Sequence, residues 1–217
     1  MIDIEKLKTN YIINLDAISA LKEFPDKIFD CCITSPPYYG LRDYKAEGQI
    51  GREESPEEYL NKLIEVFREV KRVLKKEGTL WVVIGDSYAG TRSKKEYKDP
   101  KNIEGRSGQK ESITEKLSGY KAKDLMGIPW QLALKLREDG WYLRSDIIWH
   151  KENAMPESCR DRPSRSYEHI FLLSKARKYF YNFDAMKEPI KEISKKRYMR
   201  ARGKDNKYLQ EGTGAKR

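Results

Sequence analysis

The stretch Ile28-Phe29-Asp30-Cys31-Cys32-Ile33-Thr34-Ser35-Pro36-Pro37-Tyr38 decides the fold. Residues 28–34 are β-compatible and apolar apart from Asp30, the pattern of a strand buried on both faces. Pro36 and Pro37 lack the amide donors that a central ladder needs, so the chain must leave the sheet at Ser35. Upstream, residues 11–14 (YIIN) read as a short strand running to Asp16, and residues 17–24 read as a helix stopped by Pro25. Downstream, residues 55–76 read as a long amphipathic helix, with Ser55 as cap, Pro56 in the first turn and Gly78 as the stop. Its apolar stripe is Tyr59, Leu60, Leu63, Ile64, Phe67, Val70, Val73 and Leu74. Residues 79–84 form a second buried strand, closed by Gly85-Asp86. Helix followed by buried strand, twice over, predicts a parallel α/β sheet with helices on its faces. Sites in such sheets lie at the carboxyl ends of the strands, where Asp16, Ser35–Tyr38 and Asp86 all fall.

Beyond this core, residues 89–123 are polar and lysine-rich and read as an insertion loop. A helix from Ile128 through Leu136 with Gly140 as its stop, then a strand over 141–149, resume the pattern. Residues 168–173 and 178–181 read as a strand pair, and the chain turns mostly charged from Lys187. Four segments follow: 1–88, 89–123, 124–156 and 157–217.

The 217 residues suit one domain, and 38% hydrophobic content supplies a core. No apolar run approaches the roughly 20 residues of a membrane helix. The N-terminus, MIDIEKLKTN, lacks the apolar stretch of a signal peptide, so a cytoplasmic protein without membrane association is expected. Cys31 and Cys32 are adjacent and Cys159 is distant, which suits neither a disulfide framework nor a metal cluster; no metal is expected. The net charge is +10, and residues 151–217 hold 18 Lys+Arg against 9 Asp+Glu, a local +9. A basic segment is either a solvated face or a nucleic-acid surface.

In Thr34-Ser35-Pro36-Pro37-Tyr38 the prolines fix the backbone without competing donors. A Ser hydroxyl and a Pro carbonyl aimed at one point are two acceptors for an exocyclic amine, and Tyr38 can stack on the ring bearing it. Such a site works by positioning and preorganised electrostatics. A proline turn with a packing tyrosine is the alternative reading of the same residues.

Residues 30–44, DCCITSPPYYGLRDY, resemble the catalytic motif and following loop of amino-group DNA methyltransferases, whose motif is (Asp/Asn/Ser)-Pro-Pro-(Tyr/Phe/Trp). Residues 14–17, 78–88, 146–157 (DIIWHKENAMPE) and 162–175 (RPSRSYEHIFLLSK) resemble further segments of the same family. The resemblance implies an α/β, Rossmann-like class I methyltransferase sheet carrying a basic target-recognition region. It implies transfer of a methyl group from S-adenosylmethionine to an exocyclic amine of a base flipped out of double-stranded DNA. Ser35 and the Pro36 carbonyl would hold the amine, Pro37 would hold the loop and Tyr38 would stack on the base. Asp16, Thr34, Ser35 and Asp86 would lie at the cofactor, with a loop-capping role the alternative for Asp86. Lys151 and Asn153 would support the base pocket with Trp149, for which core packing is the other reading. Lys151, Asn153, Arg160, Arg162, Arg165 and Lys175 would form the DNA-binding set. His150 and His169 are expected to pack or contact phosphate rather than act as bases. Ser35 resembles the residue of N4-cytosine enzymes; N6-adenine methylation is the alternative. On this reading 1–88 and 124–156 form the catalytic sheet, 89–123 is the insertion loop and 157–217 is the recognition region.

The beta group of this family, in which the prolyl motif precedes the recognition region, carries a Phe-x-Gly-x-Gly cofactor strand near its C-terminus. The sequence contains only Gly212-Thr213-Gly214, with no apolar strand before it. The sheet is therefore expected to be incomplete, missing the Gly-loop strand and its neighbour. The chain would be a piece of a longer enzyme, half of a split enzyme completed by a second polypeptide, or a non-catalytic DNA-binding remnant. A homodimer is a further expected partner arrangement, since unpaired strand edges seek partners.

Overall fold

The computed structural model describes residues 10–90, 117–157 and 159–201. The chain divides into two units, Met1–Phe180 and Tyr181–Arg217. In the first unit, β1 (Phe29–Thr34), β2 (Leu74–Ile84), β3 (Tyr142–His150) and β4 (Tyr167–Ser174) form one sheet in the order β1-β2-β4-β3. β1 runs parallel to β2, with Cys32 opposite Leu80 and Thr34 opposite Val82. β4 is antiparallel to both β2 and β3, so the all-parallel expectation is corrected at this one strand. An apolar strand carries no mark of its direction; pairing with β2 and β3 sets it. The span 157–217 thus contributes a central strand, not only a peripheral region.

α1 (Ala17–Glu23), α2 (Pro56–Val73) and α3 (Ile128–Glu138) complete the first unit. Ser55 caps α2 by accepting the Glu58 amide at 3.2 Å, and Pro56 at N1 sacrifices an amide that has no helical partner. Every residue of the predicted α2 stripe is buried, Leu74 now as the first residue of β2. The helix ends at Val73, three residues before the expected end at 76, because the chain passes straight into β2 and Gly78 sits within that strand. Opposite the stripe, Leu80, Val82 and Ile84 of β2 and Phe171 and Leu173 of β4 point to one face of the sheet and are buried with Leu132 and Leu136 of α3.

The other face is less covered. By strand alternation it carries Ile33 and Trp149, which are 75% and 52% exposed. The expectation that β1 is buried on both faces is therefore not met, nor is core packing of Trp149. Tyr11–Asn14 form no strand, and Ile12 is 90% exposed, since no described strand lies beside them to supply a ladder. Lys178–Tyr181 likewise form no strand.

Residues 91–116 of the predicted insertion, and Gly212-Thr213-Gly214, lie outside the described residues. The two ends of the insertion are clamped together by Ala89 N–H to the Asp124 carbonyl at 2.9 Å and Lys123 N–H to the Ala89 carbonyl at 2.7 Å. In the second unit, α4 (Glu192–Ala201) places Lys195 3 residues after Glu192, with their side chains 2.6 Å apart.

Candidate active site

β1 ends at Thr34, half-buried against Val82, and Ser35 begins the turn at the carboxyl edge of the sheet. The carbonyls that follow are nearly all engaged. Tyr59 Oη donates to the Pro37 carbonyl at 2.8 Å, Leu41 N–H to that of Tyr38 at 3.3 Å, and Ser87 Oγ to that of Tyr39 at 3.2 Å. Among the described residues, the Pro36 carbonyl accepts no hydrogen bond. Ser35 Oγ is exposed beside it and contacts the Tyr38 hydroxyl at 3.3 Å. The loop thus anchors its later carbonyls in the protein, with Ser35 exposed and Pro36 buried and its carbonyl unpaired among the described residues.

The support beneath the loop is built from the start of α2 and the segment before it. Tyr39 is buried against Tyr59, and its hydroxyl donates to the Glu53 carbonyl at 3.3 Å. Burial pushes the Tyr39 hydroxyl up to about 12 and the Tyr59 hydroxyl further. The Glu53 carboxylate accepts the Gly51 amide at 2.8 Å and faces Lys62 at 3.2 Å. Gly51, at φ +104°, lets the backbone pass the Tyr38 carbonyl; a Cβ there would lie 3.0 Å from that oxygen.

Tyr38 rests on Gly85 at the end of β2, where an added Cβ would stand 2.9 Å from the ring carbon Cε2 and 3.5 Å from Cγ of Glu168. Burial, and then the Glu168 carboxylate, raise the Tyr38 hydroxyl above its ordinary value, while hydrogen bonds from Ser35 and the Gly85 backbone oppose them. Glu168, at the start of β4, pairs in turn with Lys151 just beyond β3. Because β4 is antiparallel, its first residues meet the last residues of β2 and β3, at the edge where β1 also ends, and that edge collects Ser35, Tyr38, Glu168 and Lys151.

The sequence did not single out Glu168, Gly85 or Tyr59 for the site. Glu168 alone had a signal, an acid in an otherwise apolar strand.

Other expected residues separate from this group. Asp16 is exposed and caps α1, its Oδ1 accepting Ile18 N–H at 3.0 Å and Ser19 N–H at 3.1 Å. The Asp86 carboxylate accepts Ser87 N–H at 2.8 Å and Gly127 and Ile128 N–H at 3.0 Å each, the capping alternative raised from sequence. His169 is buried, stacks on Phe171 and meets Asp146 at 2.9 Å, a packing role; His150 is exposed.

The basic set divides as well. Arg165 donates to the Asp86 carbonyl, and Arg162 pairs with Glu157 at 2.6 Å while lying 3.9 Å over the Tyr88 ring. Both guanidinium groups therefore brace the loops. Arg160 and Asn153 are exposed, and Arg160 lines an open cleft of about 980 Å³ with Tyr88, Lys123 and Cys159. Lys175 stands at the opposite end of β4 from Glu168, its ammonium donating to the Leu74 carbonyl at 2.7 Å and lowered in pKa by burial. Seven residues of strand put it about 23 Å from the Ser35 edge.

Residues 29–212 match the family model described as DNA methylase. The chain is 52% identical to the Type II methyltransferase M.SmaI of Serratia marcescens over 184 residues, covering 84% of this chain and 62% of that protein. It is 50% identical to the Type II methyltransferase M.Cfr9I of Citrobacter freundii over 173 residues, covering 80% of this chain and 57% of that one. The chain therefore spans about 60% of the length of these curated relatives. Among solved structures, PvuII DNA methyltransferase (cytosine-N4-specific) superimposes with a TM-score of 0.50 at 16% identity, over 76% of this chain and 48% of that one, a likeness of fold. With the prolyl turn at the carboxyl end of β1 in a Rossmann-like α/β sheet, this match shows that the chain belongs to the DNA methylase family.

Proposed function

We propose that this chain carries the base-binding and catalytic part of a DNA methyltransferase acting on an exocyclic base amine, most specifically N4 of cytosine. The observation that carries this reading is the pair of acceptors at Ser35 Oγ and the unpartnered Pro36 carbonyl, beside a tyrosine ring, in a loop whose next three carbonyls are engaged. Two acceptors fit the two hydrogens of an amine. Holding both directs the nitrogen lone pair along the remaining direction, toward the electrophile. Tyr38, fixed against Gly85, offers a ring for the flipped base. The amine nitrogen would bond to the methyl carbon as the donor's carbon–sulfur bond breaks, the electron pair leaving on the sulfur of S-adenosylhomocysteine, and the nitrogen would then lose one proton to solvent, which restores its neutrality.

S-adenosylmethionine supplies the electrophilic methyl group in this reading. The chain's residues fit it in part. Thr34 and Ser35 border the free outer edge of β1, whereas the Asp16 and Asp86 carboxylates are already taken by backbone amides. The remainder of the cofactor pocket comes from protein beyond the described residues or from a second polypeptide, seated along that edge. Double-stranded DNA approaches the same end of the sheet, where Asn153 and Arg160 are exposed.

The experiment is incubation of the 217-residue protein with S-adenosylmethionine and duplex DNA, followed by mass spectrometry of the nucleosides. N4-methylcytosine is the expected product. N6-methyladenine would overturn the base assignment, and no transfer, even after addition of the relative's remaining segment, would overturn the catalytic reading.

A further inference from the structure

The hydroxyl of Ser35 can either donate or accept, and which it does decides what group it recognises. Ser35 Oγ donates to the Tyr38 hydroxyl at 3.3 Å, and the Tyr38 ring and the Glu168 side chain lie side by side over Gly85, where the carboxylate raises the Tyr38 hydroxyl. An ionised carboxylate only accepts. A carboxylate on that side draws the Tyr38 hydrogen toward itself and leaves the phenol oxygen to accept from Ser35, which uses the Ser35 hydrogen. Ser35 Oγ is left with lone pairs alone. We propose that Glu168, held by Lys151, is a positioning and specificity-determining residue that polarises the Ser35–Tyr38 pair so that the site reads an N–H donor, an amine, and rejects a ring carbonyl at the same place.

The geometry has three independent supports. Glu168 is mostly buried and its carboxylate pairs with Lys151, which fixes it in place. Gly85 has no side chain, and a Cβ there would stand 2.9 Å from the Tyr38 ring, so the seat of that ring beside Glu168 depends on the glycine. Finally, the antiparallel entry of β4 is what brings Glu168 to the carboxyl edge of β1 and β2. The same polarity explains how a neutral serine serves as an acceptor for an amine without an ionised side chain on the motif itself.

This inference rests on the proposed base-amine reading, and its test has an arm that does not need catalysis. In protein labelled with ¹³C at the tyrosine ζ carbon, the Tyr38 signal is assigned by its loss in Tyr38→Phe. Replacing Glu168 by Gln removes the negative charge facing the hydroxyl, so the Tyr38 titration should move to lower pH; an unmoved titration overturns the proposal whatever the activity. In the methylation assay, with protein completed as above where required, Glu168→Gln and Tyr38→Phe should each lower kcat by about 10- to 100-fold with KM for DNA changed by less than about threefold. Glu168→Asp should recover part of the loss.

A binding comparison separates polarity from simple support. Duplexes carrying cytosine or uracil at the methylated position are compared in wild type and Glu168→Gln, where the cost of flipping each base is common to both proteins and cancels. The preference for the amine over the carbonyl should fall about tenfold in the variant. An unchanged preference would leave Glu168 as structural support and overturn the proposal. A shifted Tyr38 titration in a protein that transfers no methyl group would confirm the polarised chain while the enzymatic reading failed.

Discussion

Removal of one hydroxyl at Ser35 deprives the proposed amine site of one of its two acceptors and leaves the packing of the loop untouched. Ser35 is exposed, and Tyr59, Leu41 and Ser87 hold the turn without it. Ser35→Ala is therefore expected to lower single-turnover methylation on the order of 10²-fold while DNA affinity changes little. Parallel losses of rate and affinity would show that Ser35 serves binding alone. The motif residues 35–38 were legible in sequence because two prolines and a tyrosine act locally, within one turn. Glu168 was not, because its relation to Tyr38 is created by strand pairing between β2 and β4 and by the missing side chain at Gly85. The DNA-binding set from sequence rested on basic charge and on the family resemblance, and neither reveals that Arg162 and Arg165 brace loops or that Lys175 caps a carbonyl at the far end.

Elements are joined at the site edge by Asp86, whose carboxylate ties the end of β2 to the start of α3 through three backbone amides. Asp86→Ala leaves those amides without their acceptor and should cost about 2–3 kcal/mol, read from urea unfolding monitored by circular dichroism. A change below about 0.5 kcal/mol would show that water replaces the carboxylate freely. α2 was legible almost residue by residue, since its cap, N1 proline and 3.6-residue stripe are all local signals. Its end was misplaced because Gly78 looks like a stop, whereas β2 pairing recruits the chain from Leu74. The direction of β4 could not be read, and neither could the fate of YIIN at 11–14, because a strand exists only where a neighbour supplies hydrogen bonds.

Over the whole molecule, the core beneath the catalytic loop carries neutral tyrosines that set an alkaline limit. The Tyr39 hydroxyl lies at about 12 in the fold against about 10 in an unfolded chain, and Tyr59 lies higher still. A folded pKa above the unfolded one means that this contribution is fully present below about pH 10 and is lost as pH rises through about 12. Circular dichroism should therefore show unfolding in that window, and Tyr39→Phe should reduce the pH dependence within it. Among the described residues the outer edge of β1 is unpaired, and Ile33 on that strand is exposed, which has a second global consequence. The 217-residue protein should self-associate, and Ile33→Lys should shift light scattering toward monomer; equal scattering would place the contact elsewhere. The sequence by itself determined the helices α2 and α3 and the place of the prolyl turn, because helix stripes, caps and proline restrictions act over a few residues. Tertiary structure alone decided the direction of β4, the carbonyl left free at Pro36 and the meeting of Ser35, Tyr38, Glu168 and Lys151, because each depends on strands distant in the chain lying side by side.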